Sequence, residues 1–115
     1  MVSNVAMLSK TSYWPSSATT TVNAYLADAH VVTASAITSV VLALPAKPTD
    51  WSQINQLEIV QDSTGGHSVT LPPDIAWAGA APSLATTAGR RDIVVLRYDV
   101  AAARWFEVSR SLSVG

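Results

Sequence analysis

An all-β domain is what this sequence predicts: a small antiparallel β-sandwich or barrel, preceded by an extended N-terminal arm. Three observations lead there. Apolar residues alternate or cluster in short Val, Ile, Leu and Thr runs instead of recurring every three and four residues, so helical periodicity is missing. Pro, Gly, Asp and Ser punctuate those runs at short intervals, as turns between strands do. Only 13% of the 115 residues are charged while 49% are hydrophobic, about half the charge of an average soluble domain, ~25%. So little charge leaves two ways of covering the surface, a coat of Ser and Thr or burial against other copies, and with 25 Ser and Thr residues the chain has material for both. A domain this short buries only about two-thirds of its unfolded surface, and self-association would extend the core.

The order of elements follows from the punctuation. Residues 1–20 are rich in Ser, Thr and Asn with isolated large apolar side chains, and read as an arm. Met7, Leu8, Tyr13 and Trp14 give that arm something to bind with, since a frayed tail has no use for four such residues. Residues 21–115 form the β-domain, with strands expected over Thr21–Leu26, His30–Thr33 and Ile37–Leu44, the last closed by Pro45 and Pro48. Gln56–Gln61 and His67–Leu71 flank Asp62-Ser63-Thr64-Gly65-Gly66, which predicts a hairpin: Gln61 and Asp62 organise its turn, and Gly65 and Gly66 supply positive φ. Pro72-Pro73 ends the second strand. A connector carrying Trp77 follows, expected to plug one end of the core. Asp92–Tyr98 and Arg104–Ser109 form a second hairpin around Asp99–Ala103. Its apolar run Ile93-Val94-Val95-Leu96 suits a strand covered on both faces, and its return strand should place Trp105, Glu107 and Ser109 on one side.

The residues exclude more chemistry than they offer. Without cysteine there is no disulfide, thiolate metal site or cysteine nucleophile. His30 and His67 are the only imidazoles, too few for a histidine-based metal centre, and the acids around Asp62 lack the calcium-loop spacing. No phosphate-cradling glycine motif and no G-x-S-x-G elbow is present, and adjacent His67 and Ser68 on a strand would point to opposite faces. No metal and no cofactor is expected. A carboxylate pair for glycoside cleavage, with Asp62 and Asp92 as its members, is the one catalytic alternative that spacing leaves open. A net charge of -1 and a pI near 6.0 lack the basic footprint of nucleic-acid binding. The apolar run around Val40–Leu44 falls far below the ~20 residues of a membrane span. The first twenty residues lack the apolar stretch of a signal peptide, so the expected place of synthesis is the cytoplasm.

The succession Leu57–Pro72, with its Gln61-Asp62 strand end and Thr64-Gly65-Gly66 turn, followed by Trp77, Gly79, Pro82, Leu84, Thr86-Thr87-Ala88, Asp92 and Trp105, resembles a β-domain of phage tail-fibre and other virion proteins. The resemblance spans about residues 30 to 108. It implies a non-enzymatic all-β module, commonly homotrimeric, in which Trp77 and Trp105 serve as core or interface aromatics. The absence of a shaft, heptads or repeats before the β-domain favours a small virion subunit over a fibre. The resulting expectation is a capsid decoration protein, trimeric on the capsid surface and adhesive in mechanism, with the major capsid protein or another virion protein as partner. The alternative is a tail-fibre or head-fibre tip that binds a host receptor or surface glycan, for which an exposed aromatic such as Tyr98 would serve, although Tyr98 reads first as a core or interface residue.

Overall fold

Alternation in the sequence becomes alternation in burial. Along Thr19–Asn23, Thr20 and Val22 are buried while Thr19, Thr21 and Asn23 are exposed, and along Arg91–Asp99 the even-numbered residues Asp92, Val94, Leu96 and Tyr98 are buried. This period of two is the pleat of a strand with one face inward. A computed structural model describes residues 11–15, 19–24, 28–35, 38–43 and 53–115. They contain eight strands and no helix: β1 (Thr11–Pro15), β2 (Thr19–Asn23), β3 (Ala29–Ala34), β4 (Thr38–Ala43), β5 (Gln53–Gln61), β6 (Val69–Thr70), β7 (Arg91–Asp99) and β8 (Arg104–Val114).

From β1 to β7 successive strands change sheet. β1, β3, β5, β7 and β8 lie side by side in a five-stranded sheet, and β2, β4 and β6 in a three-stranded one. The neighbours β1/β3, β3/β5, β2/β4 and β4/β6 are parallel, whereas β5/β7 and β7/β8 are antiparallel. The chain thus winds as a parallel two-sheet coil through its first six strands and closes with an antiparallel hairpin. The all-β expectation holds, but the expectation of antiparallel pairing does not extend to the first six strands. The reason is geometric. Alternation decides which side chains face inward but is the same for both pairing senses, and each link here carries the chain across to the other sheet, so that it re-enters the first in its original direction.

Inward residues of both sheets form one core. Val22, Ala24, Val40 and Leu42 come from the three-stranded side, and Val32, Leu57, Ile59, Val94 and Leu96 from the five-stranded side. Each of these larger side chains contributes about 1.5–3 kcal/mol when fully buried. Buried Asn55 ties the sheets together by donating from Nδ2 to the Ala24 carbonyl at 3.3 Å. Tyr98 is buried in this core with its ring edge-on to buried Trp105, centroids 5.2 Å apart. Tyr98 thus takes the core place read for it, and the alternative exposed, glycan-stacking role is not available to it.

Four further expectations change. Gln56–Gln61 and His67–Leu71 do not form a hairpin, because β5 belongs to one sheet and β6 to the other; the segment between them is a corner. Residues 1–20 are not an arm throughout: β1 pairs along β3, and Thr19 and Thr20 open β2. The run Ile93–Leu96 is buried at Val94 and Leu96 but only half-buried at Ile93 and Val95, so one of its faces looks outward. In β8 the register shifts between Val95 and Leu96: Glu107 faces Leu96 and Ser109 faces Val95, leaving Val108 as a bulge. That extra residue turns Ser109 to the opposite face from Trp105 and Glu107. The hairpin of β7 and β8 forms as expected, its loop held by Asp99, whose Oδ1 accepts the Ala101 and Ala102 amides at 2.9 and 3.2 Å.

Candidate functional site

The corner between β5 and β6 collects the predicted turn residues. Oδ1 of Asp62 accepts the amides of Thr64 at 3.0 Å and Gly65 at 2.9 Å, an Asx turn, and also lies 3.0 Å from His67 Nε2. These contacts, the Gly65 amide foremost, hold the Asp62 carboxyl below its usual range. Buried Gln61 clasps the backbone of His67 in both directions, donating from Nε2 to its carbonyl at 2.8 Å and accepting its amide on Oε1 at 3.1 Å. Gly65 and Gly66 have φ of 71° and 76°, and Gly66 donates to the Thr86 carbonyl. Every polar atom named here is committed to shaping the corner, and the fit with the 86–89 segment seals the end of the coil.

Two other acids are also spent on structure. Buried Asp92 accepts the Ala85 amide on Oδ2 at 2.8 Å and the Ser113 amide on Oδ1 at 2.9 Å, fastening the connector and the C-terminal strand to β7. Glu107 takes a two-pronged bond from Arg110, Nε to Oε2 at 2.7 Å and Nη2 to Oε1 at 2.6 Å, and accepts the Ala78 amide at 3.0 Å. The guanidinium holds the Glu107 carboxyl below its ordinary range. Arg110 reaches on to the Ala80 carbonyl, so this pair pins the connector that carries Trp77. Ala76 makes a parallel bridge to Phe106, and Trp77 packs half-buried against the core. Asp62 and Asp92, the pair considered for glycoside cleavage, are each occupied by backbone amides. Among the described residues no three His, Asp or Glu side chains converge.

What remains is surface, and its two outward faces differ. On the three-stranded sheet the outward rows are Thr19–Ser39–Thr70, Thr21–Val41 and Asn23–Ala43, largely hydroxyl and amide. On the five-stranded sheet one row runs Tyr13–Val31–Glu58–Ile93–Ser111, with Ala29–Gln56–Val95–Ser109 on one side and Thr33–Val60–Arg91–Val114 on the other. Towards the far end Ile54 is 50% exposed, and in β8 Val108 is 56% exposed. This face therefore has an apolar region over β5, β7 and β8. At its other side lies an open depression of about 450 Å³ over β1, β3 and β5. In it Glu58 Oε2 meets Arg91 Nη1 at 2.7 Å.

Of the predicted arm contacts, Tyr13 is 76% exposed at the rim of that depression. Trp14 belongs to β1, its side chain outside the described residues, as are Met7 and Leu8 altogether. Glu58 and Arg91 were not singled out from sequence; 33 residues apart, they give no local signal, and only the β5/β7 register brings them together. The chain matches no known protein family, curated protein or solved structure in comparisons of sequence and fold.

Proposed function

We propose that this chain is a non-enzymatic structural protein of a phage virion, a decoration subunit that works as a homotrimer on the capsid surface by adhesion to the major capsid protein or a neighbouring virion protein. The observation that carries the adhesive part is the asymmetry of the two sheet faces. Hydroxyl side chains wet one, while Ile54, Ile93, Val95, Val108, Leu112 and Val114 leave partly exposed apolar surface on and beside the other. Apolar surface of that kind is stabilised by burial at about 25 cal/mol per Å². The small two-sheet domain would act as a rigid block, and bracing rather than bond-making is consistent with Asp62, Asp92 and Glu107 being held by backbone and arginine donors. The virion assignment rests on the sequence resemblance described above.

Sedimentation tests both parts. The purified chain should run at three times its 12.1 kDa mass at micromolar concentration and pellet with emptied capsids in hundreds of copies per particle. Ile54→Arg combined with Val108→Arg, both at exposed positions, should leave the fold intact and lower capsid binding at least tenfold. A stable monomer that ignores capsids would overturn the proposal. The second reading, a fibre tip with a host-surface partner, is favoured by exposed Tyr13 and predicts few copies per virion with binding to cells instead of shells.

A further inference from the structure

The depression over β1, β3 and β5 combines features that the adhesive reading does not use. Its floor is small and apolar, with Ala29, Val31 and Val60. One wall carries the Glu58–Arg91 pair, with Gln56 and Thr33 nearby on the same outward face. Tyr13 stands at the rim with most of its surface in water. The volume of about 450 Å³ is that of a small-molecule site, apolar at the base with a few fixed polar groups.

We infer that this depression binds a neutral saccharide unit of a longer glycan. The charges decide the ligand class. Glu58 and Arg91 offset each other, so neither a phosphate nor a cation finds unbalanced charge there. Their bond uses one carboxylate oxygen and one guanidinium nitrogen. Among the described residues Oε1 of Glu58 and the remaining Arg91 donors make no further hydrogen bond, leaving an acceptor and donors side by side. A pyranose presents that pattern in reverse, with neighbouring hydroxyls that both donate and accept at its edge and a patch of C–H groups on its face. The hydroxyls suit the ion pair and the Gln56 amide; the C–H face suits the Tyr13 ring, rigid and amphipathic. The site is an open depression and not an enclosed cavity, which fits one unit of a longer chain better than a sequestered monosaccharide. The inference extends the adhesive reading to a second kind of partner at a region separate from Ile54 and Val108.

The test is titration of the full, isotope-labelled chain with maltohexaose, laminarihexaose and chitohexaose up to about 10 mM, followed by amide resonances, with hyaluronate and inorganic phosphate as charged comparisons. At least one neutral oligosaccharide should shift amides around Tyr13, Val31, Glu58 and Arg91. Tyr13→Ala should weaken that binding at least tenfold and Tyr13→Trp should retain it, since position 13 is exposed and neither change disturbs the core. Glu58→Gln should weaken it several-fold. No shift with any of the three neutral probes, equal binding by Tyr13→Ala, or preference for the charged probes would each overturn the inference. Capsid sedimentation of Tyr13→Ala keeps the two proposals apart: retained pelleting with lost sugar binding supports both, whereas lost pelleting with retained sugar binding removes the saccharide site and moves Tyr13 to the protein interface.

Discussion

Replacing Gly65 by alanine probes the corner that joins the two sheets. A Cβ built there would sit 2.6 Å from the Ala88 amide nitrogen and 2.9 Å from both the Ala88 Cα and the Thr86 carbonyl oxygen, all backbone atoms that cannot swing away. Gly66 next to it has a similar φ, 76° against 71°, but a Cβ there meets nothing within 4 Å. The two variants therefore share the left-handed backbone cost, about 1–2 kcal/mol for an L-residue, and differ in the clash. Pushing the 86–88 segment off the corner strains the Gly66–Thr86 and Gly89–Asp62 backbone hydrogen bonds, each contributing about 1 kcal/mol. The expected losses are then about 1–2 kcal/mol for Gly66→Ala and about 3–4 kcal/mol for Gly65→Ala. With a urea m-value of about 1.5 kcal/mol per M, the midpoint should drop by about 1 M and about 2–2.5 M respectively, measured at one protein concentration so that any assembly contributes equally. Equal midpoints for the two variants would show that the 86–88 backbone does not rest on Gly65 and would refute the sealed-corner account.

Three other sites give equally direct outcomes. Because Arg110 holds the Glu107 carboxyl below its ordinary 4.5, its stabilising contribution is complete above that value and is lost as pH falls through the lower folded value; the stability gap between wild type and Glu107→Gln should be constant near neutrality and shrink in acid melts. Asp92→Asn places an NH₂ against one of two amide donors, so it should cost about 1–3 kcal/mol and speed hydrogen exchange at the Ala85 or Ser113 amide. Trp105 is buried with its Nε1 lacking an acceptor among the described residues, so Trp105→Phe, which retains an aromatic against Tyr98, should cost well under the ~3–5 kcal/mol of Trp105→Ala in denaturant titrations.

Much of the fold was legible because strand periodicity is local. The strands Asp92–Tyr98 and Arg104–Ser109 and the loop at Asp99 were legible from short apolar runs and their punctuation, although the unbroken run Ile93–Leu96 hid that only Val94 and Leu96 of its four residues face inward. Pairing sense was not legible. Gln61-Asp62 with Gly65-Gly66 fits a hairpin and a corner equally well, since both need an Asx turn and positive φ, and only the distant contact with Thr86 and Ala88 distinguishes them. The Val108 bulge escaped for a related reason: its cause is the register of β7 against β8, a relation between two segments. Tyr13 was noted as one of four large apolar side chains near the N-terminus, but its companions Glu58 and Arg91 become visible only once β1, β3, β5 and β7 stand side by side.

The winding of the chain explains how so low a charge can give two unlike surfaces. Each odd-numbered strand up to β7 adds outward residues to the five-stranded sheet and each even-numbered one to the three-stranded sheet. In the parallel part, positions in register stack into continuous lateral rows. Odd strands contribute Tyr13, Val31, Val60 and Ile93; even strands contribute Thr19, Thr21, Ser39 and Thr70, with Val41 and Ala43 the apolar exceptions. A hydrophobic-to-hydroxyl bias that looks merely mixed along the sequence is thereby sorted in space, strand by strand. Hydroxyl groups can then wet one face while the other gathers apolar rows, interrupted by the mutually offsetting Glu58–Arg91 pair and by Arg97. Placing apolar residues on the even strands, as in Thr19→Ile with Thr21→Ile, should abolish that division: the domain would keep its core, because neither position faces inward, but it should gain a second adhesive face and associate beyond its native stoichiometry in sedimentation. Unchanged sedimentation would mean that outward apolar rows do not drive association in this fold, and the asymmetry would lose its bearing on function.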